Sequence, residues 1–347
     1  MSVLHLLGTS GDGGAETYFV DLVTALKAAG VGEAAAIRRH AGRQAALAAA
    51  GVPVKTLGFG GPLDILTRPA AAGYARLQGA QLLLAWMNRA ARHTPKGPWA
   101  RIGRLGGYYN LKYYAGFEEL VANTEDIAEW IVSQGWPAGR VRCIPNFATA
   151  PPPLANQGGA ALDRASLDTP AGAPLLLGMG RLHDSKAHDV SLQALAELPE
   201  AYLWIAGVGP LEAKLKAMAQ ALGVEDRVRF LGWRTDPSAL YRAADVCVFP
   251  SRYEPLGNVV IQAWAHGLPV VAAASQGPKA LIEDGRDGLL VPIDDAQALA
   301  DGVRQLLAAP RRAAQLAERG LGRVAAEFSE AAVIGQWKTL FSDYGAA

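Results

Sequence analysis

The chain has 347 residues, 50% of them hydrophobic and 19% charged, so it can build ordinary cores and is not a disordered protein. Its 33 basic and 32 acidic residues give a formal net charge of +1, which excludes a general attraction to nucleic acid. At about 150 residues per domain, the length predicts two domains. Cys143 and Cys247 are too few for a disulfide framework or a cysteine zinc site, so we expect two buried free thiols in a reducing compartment.

The first 147 residues alternate short apolar runs with helical patterns. The predicted strands cover 3–7, 34–37, 81–85, 120–122 and 141–144, with another beginning near Val54. The predicted helices cover 16–28, 41–50 and 125–134. Strands that alternate with helices indicate βαβ units and a parallel sheet. No basic segment precedes the first apolar run, so we expect no secretory signal and a cytoplasmic protein.

Residues 148–174 are rich in proline and glycine, which indicates a linker leading into a second domain. The alternation then starts again, with predicted strands at 175–179, 202–206, 228–231, 246–249 and 270–273, and predicted helices at 190–196, 210–221, 258–266 and from 296 onward. The uncharged segment 255–278 is interrupted by glycine, proline and amide residues, which favours a buried helix and strand over a membrane span. The sequence therefore predicts two doubly wound α/β domains with a ligand cleft between them.

The first candidate site is the glycine-rich turn 8–16, which follows a strand and opens a helix. Glycines such as Gly13 and Gly14 allow backbone N–H groups to approach an anion, and the helix N-terminus favours negative charge. Glu16 stands where the dinucleotide fingerprint needs its third glycine, and no Gly-Lys-Ser/Thr follows as in a Walker A loop. A tight turn without a ligand is an equal alternative.

The second candidate site covers 178–186, where Arg181 and Lys186 follow directly after a predicted strand. A guanidinium can fork two phosphate oxygens, and an ammonium supplies a movable charge, so the pair suits a diphosphate leaving group. His183 and His188 flank Lys186 and are further candidates for phosphate contact. The alternative is a pair of solvated loop cations beside histidines without a role.

The third candidate site is the most specific and spans 250–271. Glu254 lies in a polar loop after a strand, and Gly257 and Asn258 begin a helix whose free N–H groups can hold phosphate. Gln262 follows Glu254 by eight residues, or about 12 Å at the helical rise of about 1.5 Å per residue. That separation suits the two ends of a nucleotide sugar, with Glu254 on sugar hydroxyls and Gln262 on the ribose. A surface carboxylate and a helix-face amide are the alternatives.

A basic stretch with interleaved aromatic residues covers 89–114. Its six cations are accompanied by no acid, and its aromatic residues are Trp99, Tyr108, Tyr109, Tyr113 and Tyr114. One interpretation is a surface for the acceptor or for peripheral contact with the inner membrane. The other is an ordinary solvated face.

These motifs, in this order, resemble the retaining GT-B glycosyltransferases of family GT4. The resemblance rests on the Gly-Gly-Ala-Glu turn, Gly-Arg followed by Lys, Gly-Val-Gly-Pro-Leu, Tyr-Glu-Pro-Leu-Gly and His-Gly-Leu-Pro-Val-Val, and it covers most of the chain. It implies a GT-B architecture of two Rossmann-like domains facing across a cleft. The acceptor-side domain is expected at 1–150 with 326–347, because the last helix resembles the one that crosses back in the family, and the donor domain at 151–325.

The resemblance also implies roles for individual residues. Gly13 and Gly14 should approach the phosphates or the transferred sugar, and Arg181 and Lys186 should hold the diphosphate. Glu254 should bind sugar hydroxyls near the reacting face. The remaining donor-site residues would cap the phosphate through backbone N–H groups or line the nucleoside pocket: Leu256, Gly257, Asn258, Gly209 and Arg234. The family needs no metal or other cofactor for transfer beyond the nucleotide sugar itself.

Two departures from the family concern the donor and acceptor sides. Gln262 replaces the second acidic residue of the Glu…Glu pair, so we expect a changed nucleotide affinity. After the strand at 81–85 the family often has a histidine, whereas this chain offers Trp86, Asn88 and Arg89 as its acceptor-side candidates.

The function implied is transfer of a sugar from a nucleotide-diphosphate donor to a glycan or lipid-linked acceptor, with retention, in lipopolysaccharide or surface-polysaccharide synthesis. The alternatives are a nucleotide-sugar-binding subunit with little transferase activity, and an NADP-dependent oxidoreductase using 11–14 with Arg38 and Arg39. The missing third glycine disfavours the oxidoreductase.

Overall fold

The computed structural model describes residues 2–11, 13–61, 63–148, 162–234 and 236–345. The chain divides into two compact units, one formed by 1–146 with 330–347 and the other by 147–329. The expected junction at 150 lies outside the described residues, and the expected boundary at 326 falls within a π-helical turn, Val324–Phe328.

The first unit is built on a sheet of seven parallel strands in the order β3-β2-β1-β4-β5-β6-β7. The strands are β1 (Ser2–Leu7), β2 (Gly32–Ile37), β3 (Val54–Thr56), β4 (Ala80–Trp86), β5 (Ala100–Leu105), β6 (Glu119–Ala122) and β7 (Val141–Cys143). The helices are α1 (Gly14–Ala28), α2 (Ala41–Ala49), α3 (Thr67–Leu77), α4 (Met87–His93) and α5 (Glu125–Ser133), followed late in the chain by α13 (Glu330–Asp343). β1 and β4 form the centre of this sheet, where near-continuous apolar runs are buried as expected of parallel strands.

Helix α13 completes the first unit from the far end of the chain. Its Trp337 and Phe341 are fully buried, and Arg142 joins β7 to Asp343 with an Nη2–Oδ2 distance of 2.6 Å. The Tyr344 hydroxyl donates to Glu119 at 2.8 Å. The last helix is thus packed and hydrogen-bonded into the unit that the N-terminus begins.

The second unit is a sheet of six parallel strands in the order β10-β9-β8-β11-β12-β13. The strands are β8 (Leu175–Met179), β9 (Tyr202–Ala206), β10 (Val228–Gly232), β11 (Val246–Phe249), β12 (Val270–Ala273) and β13 (Leu289–Val291). The helices are α6 (His188–Ala196), α7 (Glu212–Ala221), α8 (Pro237–Ala243), α9 (Asn258–Ala265), α10 (Gln276–Leu281), α11 (Ala296–Ala308) and α12 (Pro310–Arg323). β8 is central, so the loops that follow β8 and β11 begin at adjacent strands of one edge.

The prediction of two doubly wound α/β domains is confirmed, and the uncharged segment 255–278 contains α9, β12 and the start of α10. Within the described ranges, no helix is long and apolar enough to cross a bilayer. Both cysteines are free, but Cys143 is only half-buried, so the expectation of two buried thiols is wrong for that residue. Its position in the edge strand β7 explains the exposure. Burial raises the pKa of the Cys247 thiol to about 12.

Candidate functional site

The loop after β8 is shaped by close backbone packing against the loop after β9. Gly180 has φ +144°, and the stem of Lys186 lies across it, 3.4 Å from where a Cβ would stand. A Cβ on Gly207 would lie 1.9 Å from the Gly180 carbonyl oxygen, and one on Gly209 would lie 2.3 Å from the Leu182 carbonyl. These glycines are therefore required by backbone contact, and Gly209 has this structural role whether or not a nucleoside binds there.

The centre of the candidate site is an ion pair between Lys186 and Glu254, which joins the loops after β8 and β11. The two side chains are 21% and 13% exposed, and Lys186 Nζ also lies 5.7 Å from the centre of the Phe249 ring. The second carboxylate oxygen of Glu254 accepts from the Gly257 N–H at 3.3 Å. The fold thus brings together two residues that the sequence analysis identified in separate motifs.

The N-terminus of α9 lies beside this ion pair. Gly257 caps the helix with φ +90°, a conformation that glycine adopts without strain, and Asn258 is the first helical residue. The backbone is held in place from α10, because the Gly277 N–H donates to the Glu254 carbonyl at 2.7 Å. Leu256 is buried, so only its backbone could contact a ligand. Free N–H groups at such a terminus favour an anion.

Two further donor-site candidates, Arg181 and Gln262, have side chains without a hydrogen bond or ion pair to any described residue. Arg181 is exposed in the same loop as Lys186, and Gln262 is half-buried on α9. Arg234 instead pairs with Asp236 in its own loop, at 2.6 and 2.8 Å.

Arg252 is a residue that the sequence reasoning missed. Its guanidinium bonds both oxygens of Asp189, at 2.6 and 3.0 Å, pairs with Asp294, and donates to the Asp184 carbonyl at 2.9 Å. These bonds tie the loop of Glu254 to the loop of Lys186. The only signal in the sequence is its position two residues before Glu254.

The histidines near these loops are structural. His188 is buried, its Nε2 lies 3.3 Å from the Gly180 carbonyl, and burial lowers its pKa to about 4, so it is neutral. In this structure its ring supports the loop through the Gly180 carbonyl. His183 caps the short turn before α6, and His266 bonds Gln262 O and Ser238 on the other side of α9.

The glycine-rich turn of the first unit is held from α2. Arg43, also missed from the sequence, donates to the carbonyls of Thr9 and Gly11 at 3.0 and 2.8 Å. Gly13 caps α1 in an extended conformation, and Gly14 is its first residue. A Cβ on Gly13 would lie 2.8 Å from a carboxylate oxygen of Glu16, a flexible side chain that can move aside, so this contact does not by itself require glycine.

The three acceptor-side candidates line one small cavity of about 170 Å³ with Gly8, Thr9, Met87 and Tyr109. Met87 has φ +62°, which is rare for a residue with a side chain and marks strain at the end of β4. Asn88 Oδ1 is buried without a hydrogen-bond partner among the described residues. The stem of Arg89 lies against Gly8, where a Cβ would be 2.9 Å from its Cγ.

Trp86 is mainly a core residue rather than an open acceptor contact. It is 3% exposed, and its indole N–H donates to His5 Nδ1 at 3.3 Å. His5 is fully buried and pairs with Glu33, whose pKa is raised by burial. Trp86 therefore offers little surface to a ligand in the cavity.

The prediction that 89–114 forms one exposed basic and aromatic surface is wrong. Trp99 and Tyr114 are buried, and the other three tyrosines are half-buried. Arg104 lies in the middle of the sheet on β5, bonded to Leu105 O and Asn146, with the rings of Tyr18 and Trp86 each 5.5 Å away. The stretch contains a central strand, so its charges cannot all face solvent.

Comparison with known proteins agrees with this arrangement. The family described as "Glycosyl transferases group 1" matches residues 173–309. The lipopolysaccharide core biosynthesis glycosyltransferase LpsE of Rhizobium meliloti is 38% identical over 335 residues, covering 95% of this chain and 96% of LpsE. LpsD of the same organism is 34% identical, covering 100% of this chain and 99% of LpsD.

Solved structures confirm the predicted GT-B fold. HepE of Anabaena, in complex with UDP, aligns with a TM-score of 0.83 at 21% identity, over 99% of this chain and 100% of HepE. A glycosyltransferase of Rickettsia africae aligns with a TM-score of 0.87 at 17% identity, over 99% and 98%. Since LpsE and LpsD match nearly end to end, the chain belongs to the group 1 glycosyltransferases and is a glycosyltransferase.

Proposed function

We propose that this enzyme transfers a sugar, with retention and without a metal ion, from a nucleotide-diphosphate donor to a glycan or lipid-linked acceptor of the lipopolysaccharide core. The observation that carries the donor side is the placement of Lys186, Glu254 and the α9 N-terminus together at one edge of the second sheet. The names of LpsE and LpsD support the acceptor class.

The donor diphosphate is held by cations and by helix N–H groups. During transfer, the bond between the anomeric carbon and the β-phosphate oxygen breaks, and negative charge develops on the leaving diphosphate. Arg181, Lys186 and the free N–H groups of α9 stabilise that charge. The acceptor oxygen bonds the anomeric carbon on the same face, and the leaving phosphate accepts its proton. Gly13 and Gly14 approach the phosphates or the transferred sugar.

The Lys186–Glu254 ion pair must open when the donor binds. Lys186 then contacts the diphosphate, and Glu254 turns its carboxylate to the sugar hydroxyls while keeping its contact with Gly257. In the free enzyme the pair compensates both half-buried charges. Gln262 bonds the ribose, with Gly209 and Arg234 at the nucleoside. The cavity lined by Trp86, Asn88 and Arg89 belongs to the acceptor side.

Two experiments in sequence test this function. First, thermal shifts are measured with UDP, GDP, ADP and their common sugar conjugates; UDP-glucose is included because HepE has been crystallised with it. A ligand present at about 100 times its Kd should stabilise the protein by about 2.7 kcal/mol. Second, the stabilising donor is incubated with truncated lipopolysaccharide cores, and the product is followed by mass and anomeric configuration.

The outcomes separate the proposal from its competitor. Transfer to a core acceptor with the donor's anomeric configuration supports it. Inversion refutes the stereochemical part. Stabilisation by a nucleotide sugar without transfer to any core supports the alternative of a donor-binding subunit with little activity of its own. Stabilisation by none of the nucleotides refutes the donor site assigned here.

A further inference from the structure

The most exposed large apolar side chains of the described chain lie close together in sequence, between β3 and the end of α3. Leu63, Ile65, Leu66 and Leu77 are 92%, 80%, 74% and 76% exposed, respectively. Elsewhere in the described ranges no large apolar side chain is more than 61% exposed. Single exposed leucines are ordinary, whereas a contiguous group marks an interaction surface.

The loop that carries Leu63, Ile65 and Leu66 is held in one conformation by hydrogen bonds. The Asp64 carboxylate accepts from the Gly60 N–H at 2.6 Å, from the Thr67 hydroxyl at 2.6 Å, and from the N–H groups of Leu66 and Thr67 at 3.1 and 3.0 Å. The hydroxyl of Thr67 contributes most to holding the pKa of Asp64 below its usual range, so the carboxylate stays charged. The fully buried ring of Phe59 fixes the start of the loop in the core. The apolar side chains therefore face solvent from an ordered loop.

Helix α3 extends this apolar surface. Leu66 and Leu77 are eleven residues apart, about three turns and about 16 Å along the axis, so they lie on the same face. Pro69 and Gly73 are exposed between them, while Ala71, Ala72, Tyr74 and Ala75 bury the opposite face. Leu63, Ile65, Leu66 and this exposed helix face together form the α3 surface.

Cations border the α3 surface, and acids are nearly absent. Arg68 and Arg76 are exposed on the same helix, and Arg89 and Lys96 are exposed on and after the neighbouring α4. Arg68 is joined to the end of α4 by donating to the Arg92 carbonyl at 3.0 Å. Residues 57–117 contain eight Lys or Arg and one acid, Asp64. Five of these cations are exposed, whereas Arg104 is buried in the sheet: Arg68, Arg76, Arg89, Lys96 and Lys112.

We propose that the α3 surface docks the enzyme on an anionic lipid bilayer. Leucine and isoleucine side chains would enter the boundary between headgroups and acyl chains, and the bordering arginines and lysine would pair with lipid phosphates. Apolar side chains bordered by cations are typical of protein surfaces that bind anionic membranes. A protein partner that matched this charge would need an acidic surface, and a second copy would bring the same positive charge against itself. The bilayer is therefore the favoured occupant.

The test is co-sedimentation of the full chain with vesicles of phosphatidylglycerol and phosphatidylethanolamine, compared with vesicles of phosphatidylcholine. These vesicles contain no glycan acceptor and no donor is added, so the result is independent of the function proposed above. The native chain should bind the anionic vesicles at 0.15 M salt and bind the neutral ones at least tenfold more weakly. Raising the salt to 0.5 M should weaken the anionic binding.

Two sets of variants locate the surface. L63S/I65S/L66S should lower vesicle partition at least tenfold, and Arg68→Gln with Arg76→Gln should lower it by about fivefold for each cation removed. The matched controls alter residues exposed elsewhere, and they should bind as the native chain does: V132S/I293S/L321S for the apolar set and R140Q/R311Q for the cations. Unchanged melting temperatures show that all variants are folded.

Three results would overturn the proposal. One is failure of the native chain to bind anionic vesicles. Another is binding that persists in L63S/I65S/L66S, which would place the contact elsewhere. The last is concentration-dependent self-association that this variant abolishes without vesicle binding, because the α3 surface would then join two copies of the chain.

Discussion

Arg181 and Lys186 are predicted to hold the same diphosphate, yet the structure gives them different roles in the free enzyme. Arg181 is exposed and has no side-chain partner in the described part of the chain. Arg181→Ala should therefore change the free energy of unfolding by less than about 0.5 kcal/mol. Loss of one charge-assisted hydrogen bond to phosphate, about 1.5–3 kcal/mol, should weaken donor binding about 10- to 150-fold.

Lys186→Ala should weaken both binding and stability. It leaves the Glu254 carboxylate, 13% exposed, with the Gly257 N–H as its remaining contact. Breaking a fully buried pair costs about 3–5 kcal/mol and an exposed one less than about 1, so this half-buried pair should cost about 2 kcal/mol. Adding Glu254→Gln removes the stranded charge and should restore about half of that stability without restoring donor affinity.

The assay combines urea unfolding of the four proteins with calorimetric titration of the donor nucleotide. If Arg181→Ala destabilises the free enzyme as much as Lys186→Ala does, the assignment of Arg181 as an unpaired cation is wrong. If neither substitution weakens binding, the diphosphate does not lie in this loop. If the added Glu254→Gln restores no stability, the ion pair contributes nothing measurable in solution.

Four other predictions follow from the fold and the proposed chemistry. His188 has a pKa of about 4 in the folded protein and takes up a proton more readily when unfolded, so acid favours the unfolded chain. Between pH 7 and pH 5 the free energy of unfolding of the native protein should therefore fall by about 2 kcal/mol relative to that of His188→Gln. Urea unfolding at both pH values measures this difference. Burial, with the nearby Glu330, raises the pKa of Asp21 to about 6, so Asp21→Asn should stabilise the protein by about 3 kcal/mol at pH 8. This stabilisation should decrease as the pH falls from 6 to 4. If it is absent at pH 8, the raised pKa of Asp21 is wrong. A Cβ on Gly320 would lie 2.3 Å from the buried Trp264 of α9, so Gly320→Ala should lower the free energy of unfolding by about 1–3 kcal/mol and weaken donor binding. The control Gly322→Ala lies in open space on the same helix and should leave thermal stability unchanged or slightly raised. Excess EDTA should leave transferase turnover unchanged, and loss of activity restored by a divalent cation would refute metal-independent transfer.

The elements that the sequence predicts best are the apolar strands of the second unit. β9, β11 and β12 begin and end where their apolar runs do, because strands buried on both faces leave an unbroken pattern. β5 was missed although it is central, because Arg101 and Arg104 interrupt its pattern. Aromatic rings and carbonyl oxygens compensate the buried guanidinium of Arg104, and such compensation is visible only after folding.

Helix α3 was missed for the opposite reason. Its buried face is mostly alanine, and the large apolar residues at its two ends, Leu66 and Leu77, face solvent, so the large apolar residues do not mark the buried face. The site shows a similar limit. Short motifs identified Lys186 and Glu254 separately, but their contact joins residues 68 positions apart. The supporting bonds of Arg252 and Arg43 are likewise long-range and have no local signal.

The return of α13 to the first unit has a consequence for how the chain is made. The second unit is inserted between residues 146 and 330, so its whole sequence emerges from the ribosome before the last helix of the first unit exists. Domains generally fold as units during synthesis. The nascent first unit must therefore wait, with the sites for Trp337 and Phe341 still open, while the inserted unit folds ahead of it. The second unit can therefore complete its fold before the first unit, which gains its last helix only once α13 has been synthesised.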